Sequence, residues 1–291
     1  MIIFLNDTAK HLQTNLNRRP LRTGKYKIGH YADGAPWYRL ETDIKRQNVA
    51  VVASLTQDVA CLIDLLALHR LCKEGKAGDR ILLIPYFGFA RQDRFTRYGE
   101  CPLGLLMAEM IRNTNPSRVI TIDIHSPKVL AALGAKAKDV SALPLFAKEL
   151  HKKDIEVLVA PDRGAVPRIQ ALNKLMGGKL KIATIHKTRP RADVARAEVI
   201  KGNVKDKRVA VIDDMITTGG TIVEAVKLLN KRGANSITVC ATHGVFTKNA
   251  RDRLAKLKLD EIIVTNTLPQ TRQAGFKILN IAPLIKQALQ P

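Results

Sequence analysis

The stretch RVAVIDDMITTGGTIVEAVKLL, Arg208 to Leu229, decides the reading of this chain. Val209, Ala210, Val211 and Ile212 are a continuous apolar run, the pattern of a strand buried on both faces, so a strand is expected over Arg208–Ile212. The chain turns polar at Asp213 and Asp214 and passes through a short Thr/Gly loop. It then repeats apolar residues at helical spacing in Ile222, Val226 and Leu229, with Gly233 as the stop. Thr221 and Glu224 have the spacing of a capping box at the helix start.

The residue types set the loop's chemistry. Gly219 and Gly220 allow a ligand close to the backbone. Thr217, Thr218 and Thr221 bring hydroxyls and N–H groups to a helix N-terminus, which favours an anion. The loop has no lysine, and the chain has no G-x-x-x-x-G-K-[ST], which excludes a Walker-type triphosphate cradle. Asp213 and Asp214 would repel a phosphate but suit ribose hydroxyls or a bound Mg²⁺ beside it. The competing reading is an Asx-capped turn without a ligand.

Composition narrows the partners. The chain has 291 residues, 46% of them hydrophobic, enough for one large or two mid-sized domains with a full core. Its net charge of +22 favours nucleotides, phosphosugars or nucleic acid, although much of that charge is also what a solvated face would carry. Aromatic residues are only 4%, which weakens a base-stacking surface for single strands. Cys61, Cys72, Cys101 and Cys240 form no C-x-x-C pair and read as buried free thiols in a reducing compartment. The start, MIIFLNDTAK, reads as a strand rather than a signal peptide, and no apolar run reaches the ~18 residues of a membrane span. A cytoplasmic location is expected.

Short apolar runs alternate with amphipathic stretches along the chain, which argues for an α/β fold with mostly parallel sheets flanked by helices. Expected strands are Ile2–Leu5, Val49–Ala53, Arg80–Ile84, Arg118–Asp123, Glu156–Ala160, Lys181–Ile185, Arg208–Ile212, Ser236–Cys240 and Glu261–Val264. The clearest helix is Asp58–Cys72, with Leu62, Ile63, Leu65 and Leu66 toward a core. Several strands end in polar segments: PYFGFARQDR, DIHS, PDRGA and HKTRPR. Ligands of open α/β sheets bind beyond such carboxyl ends. A boundary near Ser141–Pro144 leaves two halves of similar size, and RVITIDIHS weakly echoes RVAVIDDMITT, which suggests a duplication. The Arg- and Pro-rich stretch Thr188–Val204 reads as a long irregular segment suited to an active-site lid.

In YFGFARQDR, Phe87 and Phe89 could line a base pocket, Arg91 could reach phosphates and Gln92 a base edge. A salt-bridged surface loop of Arg91, Asp93 and Arg94 is equally open. Lys187 and Arg189, after a strand, could stabilise the charge that builds on oxygen during pyrophosphoryl transfer, or belong to a solvated basic loop.

IDDMITTGGT resembles the phosphoribosyl diphosphate loop of the type I phosphoribosyltransferase fold. Together with PYFGFARQDR, DIHS, PDRGAVPR, HKTRPR and VTNT, in that order over nearly the whole chain, it is similar to the ribose-phosphate diphosphokinases, which make 5-phosphoribosyl 1-diphosphate (PRPP). The resemblance implies two phosphoribosyltransferase-like domains. The first is 1–143, joined by a C-terminal helix in 278–291, and the second is 144–277. It implies ATP contacts from Arg91, Gln92, Asp93 and His125, with Tyr31 and Asp33 of YADGA reaching a neighbouring subunit's nucleotide. Ribose 5-phosphate would be held by Asp213, Asp214, Thr217, Thr218, Gly219, Gly220 and Thr221, and Mg²⁺ placed by His125 and Asp162, with Lys187 and Arg189 catalytic. His243 would stand behind the sugar-phosphate site; His11, His30, His69, His151 and His186 have no constellation around them.

Thr217, Arg163 and Ala35 depart from the family's usual aspartate, histidine and acidic residue. The resemblance also implies a homo-oligomer built from dimers, with a hexamer as the larger assembly. No membrane or nucleic-acid partner is expected. The alternatives are a non-catalytic regulatory homologue and, from the charge, a nucleic-acid-binding regulator on the same fold.

Overall fold

The computed structural model describes residues 1–188 and 197–290. The chain divides into two compact units. Unit 1 comprises residues 1–140, 267–269 and 281–291; unit 2 comprises residues 141–266 and 270–280.

Unit 1 carries strands β1 (Ile2–Leu5), β2 (Arg22–Thr23), β3 (Tyr26–His30), β4 (Pro36–Leu40), β5 (Val49–Val52), β6 (Arg80–Ile84), β7 (Arg118–Ile122) and β8 (Ala137–Val140). Its helices are α1 (Gln13–Leu16), α2 (Ala60–Glu74), α3 (Leu103–Asn113) and α4 (Pro127–Ala132). The parallel sheet has the order β2-β1-β5-β6-β7-β8, and β3 and β4 form a separate antiparallel ribbon. β1 and β5 are buried at every position, which is why their sequences, IIFL and VAVV, are apolar throughout rather than alternating. α2 turns Leu62, Leu65, Leu68 and Cys72 onto the sheet; Ile63 is exposed, because it falls outside that stripe.

Unit 2 begins with α5 (Leu143–Leu150) and continues with β9 (Val157–Ala160), α6 (Val166–Leu175), β10 (Lys181–Thr188), β11 (Ala197–Lys201), β12 (Arg208–Ile216), α7 (Gly220–Lys231), β13 (Ser236–Gly244), α8 (Ala250–Ala255), β14 (Glu261–Thr265) and β15 (Phe276–Leu279). Its sheet runs β11-β10-β9-β12-β13-β14-β15, parallel except for β11. The last helix, α9 (Ala282–Ala288), belongs to unit 1.

Three expectations need correction. First, Thr188–Val204 is not irregular throughout. β10 and β11 pair antiparallel from Thr184↔Lys201 to Thr188↔Ala197, so both ends of the stretch are a β-ribbon. Its polar sequence hid the strands because a ribbon at a sheet edge needs no apolar face. Second, β12 continues to Ile216 and β13 to Gly244, pairing Asp213↔Ala241, Met215↔His243 and Ile216↔Gly244. The acidic pair therefore lies within a strand, not after it. Third, Cys101 is exposed, unlike the buried Cys61, Cys72 and Cys240.

The duplication is real in topology but not in the expected register. Counting only the parallel strands, and so leaving out the antiparallel edge strand β11, each sheet has its second strand at one side, then its first, third, fourth, fifth and sixth. β12 thus corresponds to β5, not to β7, and RVAVIDDM is matched by NVAVVASL. The echo with RVITIDIHS reflects a shared composition of buried strands.

Candidate active site

In unit 2, polar groups gather just past the end of β9, where the neighbouring β10 and β12 continue. Asp214 is buried, and its Oδ1 accepts from Met215 N at 2.9 Å; Asp213 Oδ1 accepts from Asp214 N at 2.9 Å. Burial pushes the Asp213 carboxyl well above the usual carboxylate range, the Asp214 carboxylate pushes it further, and Asp162 adds to the same effect. Three carboxylates, two on β12 and one just past the end of β9, thus share one field. Asp162 is exposed and its Oδ1 accepts from Ala165 N at 3.1 Å, the Asx turn that opens α6.

The loop after β12 enters α7 through Gly219, whose φ of 75° and ψ of 3° are left-handed. α7 starts at Gly220 without a side-chain cap, so the expected Thr221–Glu224 capping box does not form: Thr221 is already inside the helix. The first N–H groups of α7 have no partners within the helix, which is the condition for binding an anion there. Ile222, Ala225, Val226 and Leu229 face the core and fix the helix axis. From the other side, Val245 N and Phe246 N donate to Ile216 O at 3.0 Å, and Thr247 N to Thr217 O at 3.0 Å. Thr217 and Thr221 are half-buried and Thr218 is exposed. His243 is buried as the register partner of Met215.

Lys187 lies on β10 as the register partner of Glu198; Arg189 lies outside the described residues. His186, given no constellation by the sequence, has one here. Arg163 Nε donates to His186 Nδ1 at 3.2 Å, tying the turn after β9 to β10. No sequence spacing signals this pair, because it joins neighbouring strands.

In unit 1, Phe87 is buried in the core and bridged to Leu55, so it does not line a base pocket; Phe89 packs partly against the same core. The extended backbone at Leu55↔Phe87 turns that ring inward. Arg91 and Gln92 are exposed. Gln92 O accepts from Gly104 N at 3.0 Å, and a Cβ at Gly104 would lie 2.6 Å from Phe89 O, so only glycine allows α3 to sit this close to the loop. Asp93 Oδ2 accepts from Ser126 Oγ at 2.8 Å, and Ser126 Oγ accepts from Lys128 N and Val129 N, capping α4.

That bond joins the Arg91–Gln92 segment to the exposed His125. Asp123, at φ 41°, turns the chain there, and Asp139 on β8 accepts from Thr121 Oγ1 and Ile124 N. Tyr31 and Asp33 sit at the exposed tip of the β3–β4 ribbon, where Asp33 Oδ1 accepts from Ala35 N at 3.0 Å. Among the described residues no hydrogen bond links them to the Arg91–Asp93 segment. The ribbon itself is anchored: Tyr38 OH donates to Asp64 at 2.7 Å, and Tyr26 OH to Leu5 O at 3.0 Å. Burial is the largest cause raising the Tyr26 hydroxyl to about 12.

A hard cation such as Mg²⁺ takes oxygen ligands and retains waters and substrate phosphates, so one or two carboxylates are enough to place it. Asp162, Asp213 and Asp214 fit that donor set, and their mutual repulsion is what a cation would relieve. Among the described residues no group of three metal-binding side chains forms a complete protein cage. His125 and Asp162, expected to place the metal together, belong to units 1 and 2 respectively.

No helix among the described residues is long and apolar enough to cross a membrane. Residues 1–114 match the N-terminal domain of ribose phosphate pyrophosphokinase, and residues 157–290 the phosphoribosyl synthetase-associated domain. The ribose-phosphate pyrophosphokinase of Vibrio vulnificus (strain YJ016) is 30% identical, with 98% of this chain and 93% of that protein covered. That of Oceanobacillus iheyensis is 31% identical over 98% of this chain and 89% of its own length. The crystal structure of phosphoribosylpyrophosphate synthetase from Mycobacterium smegmatis superposes with a TM-score of 0.89 at 29% identity, covering 99% of this chain and 96% of that one. By sequence over its whole length and by fold, this chain belongs to the ribose-phosphate pyrophosphokinase family of enzymes.

Proposed function

We propose that the chain transfers the diphosphoryl group of ATP to the 1-hydroxyl of ribose 5-phosphate. The hydroxyl oxygen bonds to the β-phosphorus, the bond from that phosphorus to the α-phosphate oxygen breaks, the hydroxyl proton leaves, and PRPP and AMP result. One observation carries this reading. Asp213 and Asp214 lie in the C-terminal half of β12, a few residues before the left-handed glycine that opens α7, so carboxylates suited to a diol and a helix start suited to an anion are held close in the chain. A phosphorylated sugar has those two ends.

In this reading residues 217–221 hold the 5-phosphate through N–H and hydroxyl groups, and Asp213 and Asp214 orient the ribose hydroxyls. Arg91, Gln92 and Asp93 hold ATP, Asp93 chiefly by fixing Ser126 and with it the His125 turn. Tyr31 and Asp33, exposed on an anchored ribbon, suit a nucleotide held by a neighbouring copy, and so a homo-oligomer. Lys187 and Arg189 place positive charge on the transferring group. Mg²⁺, with Asp162 among its ligands, would screen the diphosphate and make the β-phosphorus more electrophilic. Four free thiols suit a cytoplasmic setting.

The test mixes the full chain with Mg-ATP and ribose 5-phosphate and measures AMP and PRPP. Equimolar products that vanish without the sugar, and fall by about 10²-fold or more in Lys187→Ala, are expected. AMP release that ignores the sugar, or no release, overturns the reading.

A further inference from the structure

The polar groups of residues 217–221 are hydroxyls and main-chain N–H groups, all neutral. Among the described residues, one full positive charge is hydrogen-bonded to this loop from outside the motif. Arg253, on α8, donates from its guanidinium to the carbonyl of Thr218. α8 is seated on the loop rather than merely near it. A Cβ at Gly219 would lie 3.3 Å from Leu254 Cδ1, Leu254 is fully buried, and Thr247 N, just before α8, donates to Thr217 O.

The neighbouring arginine has a different task. Arg251 stacks 4.3 Å from the Phe246 ring centre and 5.0 Å from that of Phe276, and donates to Thr271 O at 3.1 Å. Arg251 therefore pins the segment to unit 2. Arg253 is exposed, and among the described residues it has no carboxylate partner. A guanidinium has five N–H donors, and one carbonyl leaves most of them for another acceptor.

We propose that Arg253 is a binding and specificity residue of the sugar-phosphate loop. It supplies the cation that the loop lacks and selects a phosphomonoester dianion at the sugar's far end. This rests on the reading of residues 217–221 as the 5-phosphate site. The competing role is a cap on the Thr218 carbonyl, which would need a donor but no charge.

The experiment uses Arg253→Lys, Arg253→Gln and Arg253→Glu in the full chain. Ribose 5-phosphate, inorganic phosphate and ATP are each titrated by calorimetry, with melting temperatures alongside. Losing one charge-assisted hydrogen bond corresponds to about tenfold in affinity. Arg253→Gln is expected to weaken ribose 5-phosphate and phosphate by that factor, Arg253→Glu by more, and Arg253→Lys by little, with ATP unaffected. The Lys-to-Glu ratio reads the sign of the charge even if all variants lose some stability.

Equal ribose 5-phosphate affinity in all three variants overturns the proposal, as does an equal loss for ATP. A wild type that binds ribose 5-phosphate through Arg253 but releases no AMP would overturn the transfer reaction and leave this residue's role standing. A wild type that makes PRPP with indifferent Arg253 variants would do the reverse.

Discussion

Alanine at Gly219 and alanine at Gly220 should shift stability in opposite directions, although the two positions are adjacent. Gly219 is left-handed at φ 75°, and a residue with a Cβ pays about 1–2 kcal/mol to stay there. The new methyl would also stand 3.3 Å from Leu254 Cδ1 and 3.4 Å from its Cγ, and Leu254 is fully buried with little room to move. Strain and crowding together come to about 2 kcal/mol. Gly220 begins α7, and the nearest atom to a Cβ there is Thr218 Oγ1 at 3.7 Å, an ordinary contact.

Alanine at Gly220 restricts the unfolded chain without straining the folded one and gains about 0.4–1 kcal/mol. For chains of this order 1 kcal/mol moves the melting temperature by about 2–4 °C, so Gly219→Ala should melt about 4–8 °C lower and Gly220→Ala about 1–4 °C higher. Calorimetric melting of the two variants without ligand, and again with ribose 5-phosphate, is the assay. The ligand should stabilise Gly219→Ala less than wild type if the strained turn gives way. A Gly219→Ala variant that melts at or above wild type, or two variants that shift together, would refute the reasoning.

Other perturbations follow from the same structure. The folded chain holds the Asp213 proton more tightly than the unfolded chain, so this group's stability contribution falls as pH rises from about 4 through its raised folded value. Asp213→Asn should therefore raise the ligand-free melting temperature at pH 7 and flatten its pH slope, while abolishing sugar-dependent AMP release; a lower melting temperature contradicts the repulsion. Glu149 accepts from Lys277 Nζ at 2.6 Å and Lys152 Nζ at 2.9 Å, and these bonds hold its carboxyl below the usual range. Its contribution is present above the ordinary glutamate value and lost as pH falls through the lowered one. Glu149→Gln should flatten the acid limb of a stability–pH curve, and an unchanged limb would count against the pair. Ser54, fully buried, donates to Thr267 O at 2.8 Å within unit 1. Ser54→Ala should cost about 1 kcal/mol in urea unfolding and leave ribose 5-phosphate affinity unchanged.

The buried parallel strands were the most legible part of the fold, because a strand covered on both faces must be apolar along its length. All nine expected strands occur, several within a residue or two of their limits. Elements without that constraint were missed. The β3–β4 ribbon is exposed or half-buried along its length, with Gly29 close beneath the Trp37 ring. β11 pairs at an edge, and α4 is a six-residue helix that Ser126 caps. The acidic pair and the glycine loop were legible as residue types. Their placement inside an extended β12 was not, since Met215 and Ile216 gain their strand character from pairing with His243 and Gly244. Arg253 was hidden for a related reason: NARDRL reads as one more basic helix until α8 is seen against the loop.

The corrected register of the duplication bears on how the two units diverged. The segment after β5, residues 54–58, occupies the topological place of the loop after β12, but it is no phosphate cradle. It has no glycine, Leu55 N donates to Tyr86 O, and Leu55 O accepts from Gly88 N. Ser54 N donates to Thr8 Oγ1, which in turn donates to Asn6 Oδ1. The place where unit 2 sets Asp213, Asp214 and the start of α7 is closed in unit 1 by its own hydrogen bonds. The chain ends of the units tell the same history. KDVSALPLFAKEL, from the end of β8 into α5, is matched by KILNIAPLIKQAL, from the end of β15 into α9, each with proline in the first turn of its helix. Yet α5, following unit 1's last strand, belongs to unit 2, and α9, following unit 2's last strand, belongs to unit 1. Leu284, Ile285 and Leu289 are buried there, and Arg118 donates to the carbonyls of Ala288 and Gln290. Burying each such apolar side chain contributes about 1.5–3 kcal/mol, so α9 adds to the stability of the unit it joins. The loop after β12, opened by the left-handed Gly219, thus stands where unit 1 keeps a segment closed on its own hydrogen bonds.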